Sequence, residues 1–380
     1  MDVTALRAQR LRSHGLSAPA ASVADAAAHL LATQAQEFWG GRWALALRSR
    51  GAPTLRQVDA AFDRGDLVRT WTMRGTLHIV PARDAAWMLE VTAHRQLRQV
   101  SRVLAQEGAD DDTVRHAERI ARAALRGGGR LTRAEFAAAL EAGGVRTVGQ
   151  RLYHLILALG LRGVVCWGPV VARDGGPTRE QWLVLGEDWI SDAAAPADPL
   201  AELFSRYIAG HGPAGARDFA WWTGLPLTLS RQAAAAASGS LLEVDEGLFV
   251  ARVQPRRSAT AAAVVALPPF DEYYLSYADR SVACHPALHR AVGPGANGMV
   301  KAAILARGEV VGTWTHSLAV GRRADAPLPE LLVPDAAAPA AVAAALDRYA
   351  AFIAGRSGVP VQERVHLAVV DAGERAAGER

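Results

Sequence analysis

Two glutamines separated by one alanine, Gln34-Ala35-Gln36, stand out as residues whose type and spacing could serve chemistry. On a helix, residues two apart diverge by about 200° and share no site. On an extended link, a period of two puts both amides on one face and Ala35 on the other. The local sequence favours the link, because Gly40-Gly41 interrupts a continuous helix. Two neutral amides then project together beside Trp39. Each carries an oxygen that accepts a hydrogen bond from water and a dipole that suits a developing cation. Taken alone, the pattern is weak and reads first as two glutamines that cap neighbouring helix ends or sit solvated.

A second group lies on LVRTWTMRGTLHIV, residues 67–80, which predicts two short strands around a turn at Met73-Arg74-Gly75. Its Arg69, Thr70, Arg74, Thr76 and His78 are candidate DNA contacts, since arginine and hydroxyl donors suit phosphates. Trp71 reads as packing rather than a base-stacking wedge. Arg95, Arg98 and Arg102 fall on one helix face and would extend the surface. Arg115, Arg119, Arg122 and Arg126 form another stripe, with Glu118 expected to pair with Arg115 or Arg122. Charge runs of this kind read first as a solvated face.

These residues need elements to position them. Residues 20–50 predict two helices, SVADAAAHLLAT and GGRWALALRSR, around the QAQEFW link, and LRQVDAAFDRG predicts another. Helices followed by a basic hairpin are the order of a winged helix. The order recurs in LTRAEFAAALEAGG, QRLYHLILALGLRG and the hairpin VVCWGPVVARDGGPTREQWLVL. It recurs again in PLAELFSRYIAGHGP, GARDFAWWTGL, LTLSRQAAAAASGS and LLEVDEGLFVARV. SDAAAPADP, residues 191–199, is the linker candidate. Beyond about residue 258, AAAVVALP, MVKAAILA and EVVGTW read as strands packed by a final helix. The expectation is an α+β chain: winged helix 1 over residues 1–110, winged helix 2 over 111–190, winged helix 3 over 198–257 and a β-rich region over 258–380.

Composition narrows the class. The 380 residues are half hydrophobic, enough for packed cores, and no segment is apolar enough to span a membrane. The opening MDVTALRAQRLRSHGL lacks the apolar stretch of a signal peptide, so the expected place is the cytoplasm, on the nucleoid. A net charge of +4 and pI of 9.4 suit nucleic acid without proving it. The positive charge is arginine except for Lys301, which leaves Schiff-base chemistry one unmarked candidate. Cys166 and Cys284 make no disulfide framework. Gly293 to Gly298 spells GxGxxG without the flanking strand and helix of a dinucleotide site, and Cys284, His285 and His289 lack a fourth ligand, so no cofactor or metal is expected. Asp271-Glu272, read as adjacent strand residues, would face opposite ways and form no dyad; a brace against Arg280 is the expected role. Trp221 and Trp222 read as core.

LLATQAQEFWGGRWALALRSR, DLVRTWTMRGTLHIVPARD, LPPFDEYYLSYADRS and GEVVGTW together resemble winged-helix DNA glycosylases of the AlkZ and YcaQ type, in order and over nearly the whole chain. The resemblance implies three tandem winged helices in a C-shaped arrangement around a basic concave surface. It implies a monomer acting on double-stranded DNA with alkylated purines, excising N7-alkylated bases, bulky adducts and some interstrand crosslinks. Gln34 and Gln36 match the family's catalytic motif, in the form carried by the AlkZ branch, which is associated with self-resistance to DNA-alkylating natural products. The chemistry is coherent. An N7-alkylated purine already carries positive charge and leaves without a general acid, so the enzyme need only stabilise an oxocarbenium-like sugar and place a water. Gln36 is expected to hold that water and Gln34 to orient it or contact the sugar-phosphate. The alternative is a non-enzymatic DNA-binding protein, since winged helices more often regulate than catalyse.

Overall fold

The computed structural model describes residues 1–172, 178–256, 262–296, 298–315 and 326–355. Three rounds of helices followed by an antiparallel hairpin make up the chain to residue 251. In the first, helices Val23–Leu30, Phe38–Leu47 and Leu55–Asp63 surround a two-residue strand β1 (Thr33–Gln34) and precede β2 (Leu67–Trp71) and β3 (Leu77–Pro81). The second has helices Asp111–Leu125, Arg133–Ala142 and Arg151–Leu161 with β4 (Arg130–Leu131), β5 (Val165–Val170) and β6 (Gln181–Leu185). The long helix Ala85–Gln106 joins these two rounds. The third has helices Pro199–His211, Ala216–Thr223 and Leu227–Ala237, then β7 (Leu241–Asp245) and β8 (Leu248–Ala251).

Local sequence explains the boundaries. Thr54 and Gln57 close a capping box at the start of helix Leu55–Asp63, and its predicted apolar stripe Leu55, Val58, Ala61, Phe62 is the buried one. Thr132 and Glu135 do the same for helix Arg133–Ala142. Between β2 and β3, Arg74 and Gly75 both take left-handed φ (54° and 73°), and Thr76 N–H closes on Met73 O, as a tight hairpin turn requires.

The first two hairpins do not stand apart. Residue Arg69 of β2 pairs with Trp167 of β5, so a single sheet runs β1-β3-β2-β5-β6-β4. A second sheet, β12-β11-β10-β9, holds β9 (Val264–Leu267), β10 (Ala302–Ala306), β11 (Glu309–Thr315) and β12 (Leu328–Leu331). Its core is shared with the first round: Trp43 and Trp314 donate their indole N–H groups to Ala266 O and Leu267 O, each at 2.8 Å. The terminal helix Pro339–Ile353 inserts Tyr349 between those two rings, at centroid distances of 5.3 and 4.8 Å.

Three sequence expectations need correction. Gly40 and Gly41 lie inside helix Phe38–Leu47 and do not interrupt it. Trp221 is 43% exposed, with its ring 5.1 Å from the Arg280 guanidinium; only Trp222 is core. Asp271 and Glu272 begin the one-turn helix Glu272–Leu275, and neither pairs with Arg280. Asp271 instead takes both guanidinium nitrogens of Arg48, at 2.9 and 2.7 Å, in a fully buried pair. A helix, Val3–Ser13, also forms where no apolar stripe announces one.

Candidate active site

The link between helices Val23–Leu30 and Phe38–Leu47 is extended, as its residues predict. Strand β1 pairs with β3 through Thr33–Ile79 and Gln34–His78, and Ala35 N–H continues the ladder to Leu77 O at 2.8 Å. There the backbone ladder stops. The next ladder partner, Leu77 N–H, donates instead to the side-chain Oε1 of Gln36 at 3.3 Å. Gln34 Oε1 in turn accepts from Gln36 N–H at 3.3 Å. The two glutamines are therefore adjacent but unequal: Gln34 is 6% exposed, whereas Gln36 is open to solvent. An amide oxygen with one backbone donor keeps a second lone pair for water.

Three devices hold this segment. Gly41 lets helix Phe38–Leu47 lie directly on it: a Cβ there would sit 2.8 Å from Ala35 Cβ and 3.2 Å from Gln34 O. Arg69 reaches from β2 to donate to Ala35 O at 2.9 Å and Gln36 O at 3.3 Å, with the Phe38 ring 5.1 Å away. Burial, with the Arg42 charge, lowers its pKa to about 10, so it stays protonated. Glu272 Oε1 accepts from Gln34 N–H at 2.7 Å. Its Oε2 takes Trp222 Nε1–H at 2.9 Å and Ser276 Oγ–H at 2.5 Å. Burial opposes that charge, but His211 at 3.8 Å and the Ser276 hydroxyl outweigh it and hold the carboxyl at about 2. An ionised carboxylate thus stands behind the glutamine backbone. Neither Arg69 as a brace nor Glu272 as an anchor is marked by residue type; PPFDEYY was conspicuous in sequence, yet its partners lie in other rounds.

Gln36 and Arg69 line a cavity of about 670 Å³ where the first and second rounds meet. Trp71, Leu77, Leu152, Tyr153, Ile156 and Trp167 form its apolar walls, and Arg133 and Arg179 join Arg69 among its charges.

The predicted DNA contacts divide. Thr70 is 1% exposed and points to the opposite face of β2 from Arg69 and Trp71, toward a separate cavity of about 470 Å³. His78 is 0% exposed, its Nδ1 3.0 Å from both Thr76 O and Thr72 Oγ1. Burial lowers its pKa to about 4, which leaves it neutral at physiological pH. Thr76 donates its hydroxyl to Met73 O at 3.2 Å. Arg74 is half-buried with its Cγ over Gly224, at the C-terminus of helix Ala216–Thr223, where a cation is favoured. Thr70 and His78 therefore have no surface to offer a phosphate, and Arg69 spends its donors on protein carbonyls. Arg95, Arg98 and Arg102 are exposed along helix Ala85–Gln106, with no acidic partner within 4 Å among the described residues. In the other stripe Arg122 pairs with Glu118 and Glu187, and Arg115 pairs with Asp112.

An α+β chain that sets one braced glutamine amide at the rim of a basic, aromatic cavity has the parts of an enzyme acting on nucleic acid, and comparison with known proteins fixes which. The chain belongs to the AlkZ-like family of DNA glycosylases, which it matches over residues 27–352. It is 27% identical over 329 residues to an interstrand DNA cross-link repair glycosylase from Streptomyces sahachiroi, across 82% of this chain and 86% of the relative. Its fold is similar to that of the Streptomyces sahachiroi DNA glycosylase AlkZ, with a TM-score of 0.72 at 23% identity over 97% of this chain and 100% of the other. The enzymatic reading of the chain thus prevails over the non-enzymatic one. No helix among the described residues is long and apolar enough to cross a membrane.

Proposed function

We propose that this glycosylase hydrolyses the N-glycosidic bond of N7-alkylated purines in duplex DNA, with Gln36 as the residue that holds the attacking water. The observation that carries it is the Gln36 amide: solvent-open at the rim of a cavity, with its oxygen oriented by Leu77 N–H. Water bound to that oxygen attacks C1′ as the C1′–N9 bond breaks; the bonding pair neutralises the cationic purine, the water's proton leaves to solvent, and an abasic site remains. Gln34 positions Gln36 through its backbone N–H, and the Glu272 charge behind Gln34 adds a negative potential that favours the oxocarbenium-like sugar. A neutral amide is a weak base, adequate only for a labile, precharged substrate.

In this reading the three helix-and-hairpin rounds are tandem winged helices curved around the duplex. The exposed Arg95, Arg98 and Arg102, with Arg74 and Thr76, are the phosphate contacts of a monomer working without cofactor. The relative's name supports extending the substrates to interstrand crosslinks; self-protection against an alkylating product is the further reading that the AlkZ-type glutamine pair suggests. Single-turnover incubation with a duplex containing one N7-methylguanine, followed by alkaline cleavage, tests the chemistry. Excision by wild type that collapses in Gln36→Ala supports it; release of undamaged guanine at a comparable rate, or an unaffected Gln36→Ala, sinks it.

A further inference from the structure

Two arginines near the glutamine segment carry charge that the protein leaves unanswered. Arg280 follows the one-turn helix Glu272–Leu275, and its guanidinium lies 5.1 Å from the centre of the Trp221 ring and 5.4 Å from that of Tyr274. Arg74 sits in the turn between β2 and β3, with its Cγ beside Gly224 where helix Ala216–Thr223 ends. Both arginines are half-buried, and the Nε of each is shut from water with no acceptor. Neither has a carboxylate within 4 Å among the described residues. Glu272 is the carboxylate that acts most strongly on Arg74, yet its oxygens are taken by Gln34 N–H, Trp222 and Ser276. Burial lowers the Arg74 pKa, and the Arg280 charge lowers it further. Two cations held together without a counter-charge destabilise the free protein, and a bound anion relieves that cost. Stacking on two rings also fixes the Arg280 plane, so that its N–H groups meet a tetrahedral anion as a fork and not as a point charge. For a DNA glycosylase that anion is backbone phosphate.

We propose that Arg280, held on Trp221 and Tyr274, closes with Arg74 on a single phosphate of the DNA strand, and so sets the register of the duplex on the Gln34–Gln36 segment. Contacts to phosphate position a duplex without reading its sequence. The route to the glutamines is short: Leu77, whose N–H orients Gln36, follows Arg74 by three residues on the same hairpin, and Glu272 bonds Gln34 from the segment that leads to Arg280. The proposal rests on the reading of Arg74 as a phosphate contact and adds Arg280 and its aromatic support to it. These are positioning residues, and none touches a reacting atom.

The test uses duplexes that carry one tetrahydrofuran abasic-site analogue, which cannot be cleaved, and one uncharged methylphosphonate at each flanking linkage in turn on either strand. Anisotropy titration gives dissociation constants for wild type, Arg74→Met and Arg280→Met. The decisive quantity is the ratio of methylphosphonate to unmodified duplex for each protein, in which a general loss of affinity cancels. Wild type should weaken about tenfold or more at one linkage, the scale of one charge-assisted contact, and both variants should bring the ratio at that linkage to within about twofold of unity. An Arg280→Met protein that binds every duplex more weakly but keeps the wild-type ratios shows an arginine that only packs Trp221 and Tyr274, and overturns the clamp. So does a ratio lost in Arg74→Met alone, which leaves the Arg74 contact standing and removes Arg280 from it. Coupling of the two arginines to different linkages overturns the shared phosphate, and a wild type indifferent to every linkage overturns the Arg74 contact as well.

Discussion

Arg69 separates two accounts of the β2–β3 hairpin. Its residue type suggests a phosphate contact; its geometry makes it a brace for the glutamine segment, through Ala35 O at 2.9 Å and Gln36 O at 3.3 Å. Arg69→Met keeps most of the aliphatic stem and removes both bonds. A charge-assisted hydrogen bond contributes roughly 1.5–3 kcal/mol, and half-burial lets water replace part of it, so about 2 kcal/mol of stability should be lost for the pair. The effect on rate should be larger in kind. With its carbonyl released, Gln36 swings on the end of a two-residue strand, and a displacement near 1 Å at a catalytic group costs on the order of 10²-fold. The expected outcome is a single-turnover rate down about 10–100-fold, with DNA affinity and its salt dependence unchanged. A phosphate contact would do the opposite: intact chemistry, weaker binding, and a slope of log K against log salt reduced by about one. That second pattern would refute the brace.

Three further outcomes follow from the same site. Gly41→Ala improves helix propensity by about 1 kcal/mol but drives a methyl to 2.8 Å from Ala35 Cβ, so the substitution should lower both Tm and the excision rate; an unchanged or raised Tm would show that the segment yields freely. Glu272→Ala strands the buried donors of Gln34 and Trp222, each at about 1–3 kcal/mol, and should destabilise by about 3–5 kcal/mol in urea titration, with Glu272→Gln costing less. His78, buried and neutral, has its pKa lowered to about 4, and burial lowers His14 and His29 as well. Their contribution is complete above the unfolded value near 6.5 and is lost as pH falls toward the folded value, about 2 kcal/mol by pH 5 for His78 alone. Tm should therefore drop between pH 7 and 5, and His78→Asn should flatten that slope; a flat wild-type curve would contradict the burial.

What was legible in sequence is what local physics decides. The alternation in residues 67–80 with Arg74-Gly75 predicted the hairpin; the QAQ link is extended as expected, although the Gly40-Gly41 break invoked for it is helical. What was not legible depends on partners far along the chain. Arg7 and Arg10 of the first helix bond Glu309 and Pro213 O, so a helix without an apolar stripe is held by polar contacts no window could anticipate. Arg69, Thr70 and His78 looked like surface because their types usually are, yet the sheet formed with β5 and the third round enclose them. Asp271 and Glu272 were misjudged for the same reason: Arg48 and Trp222, not Arg280, complete them.

The brevity of β1 has a consequence of its own. Had the strand run two residues further, a backbone carbonyl would have taken Leu77 N–H, and the Gln36 side chain would have been left to wander in solvent. By halting, the strand hands its last pairing position to a side chain, and the regularity of the sheet, rather than a purpose-built pocket, aims the amide. The opposite margin, β4, is equally short. A six-stranded sheet with two-residue borders gives a neighbouring chain almost nothing to extend.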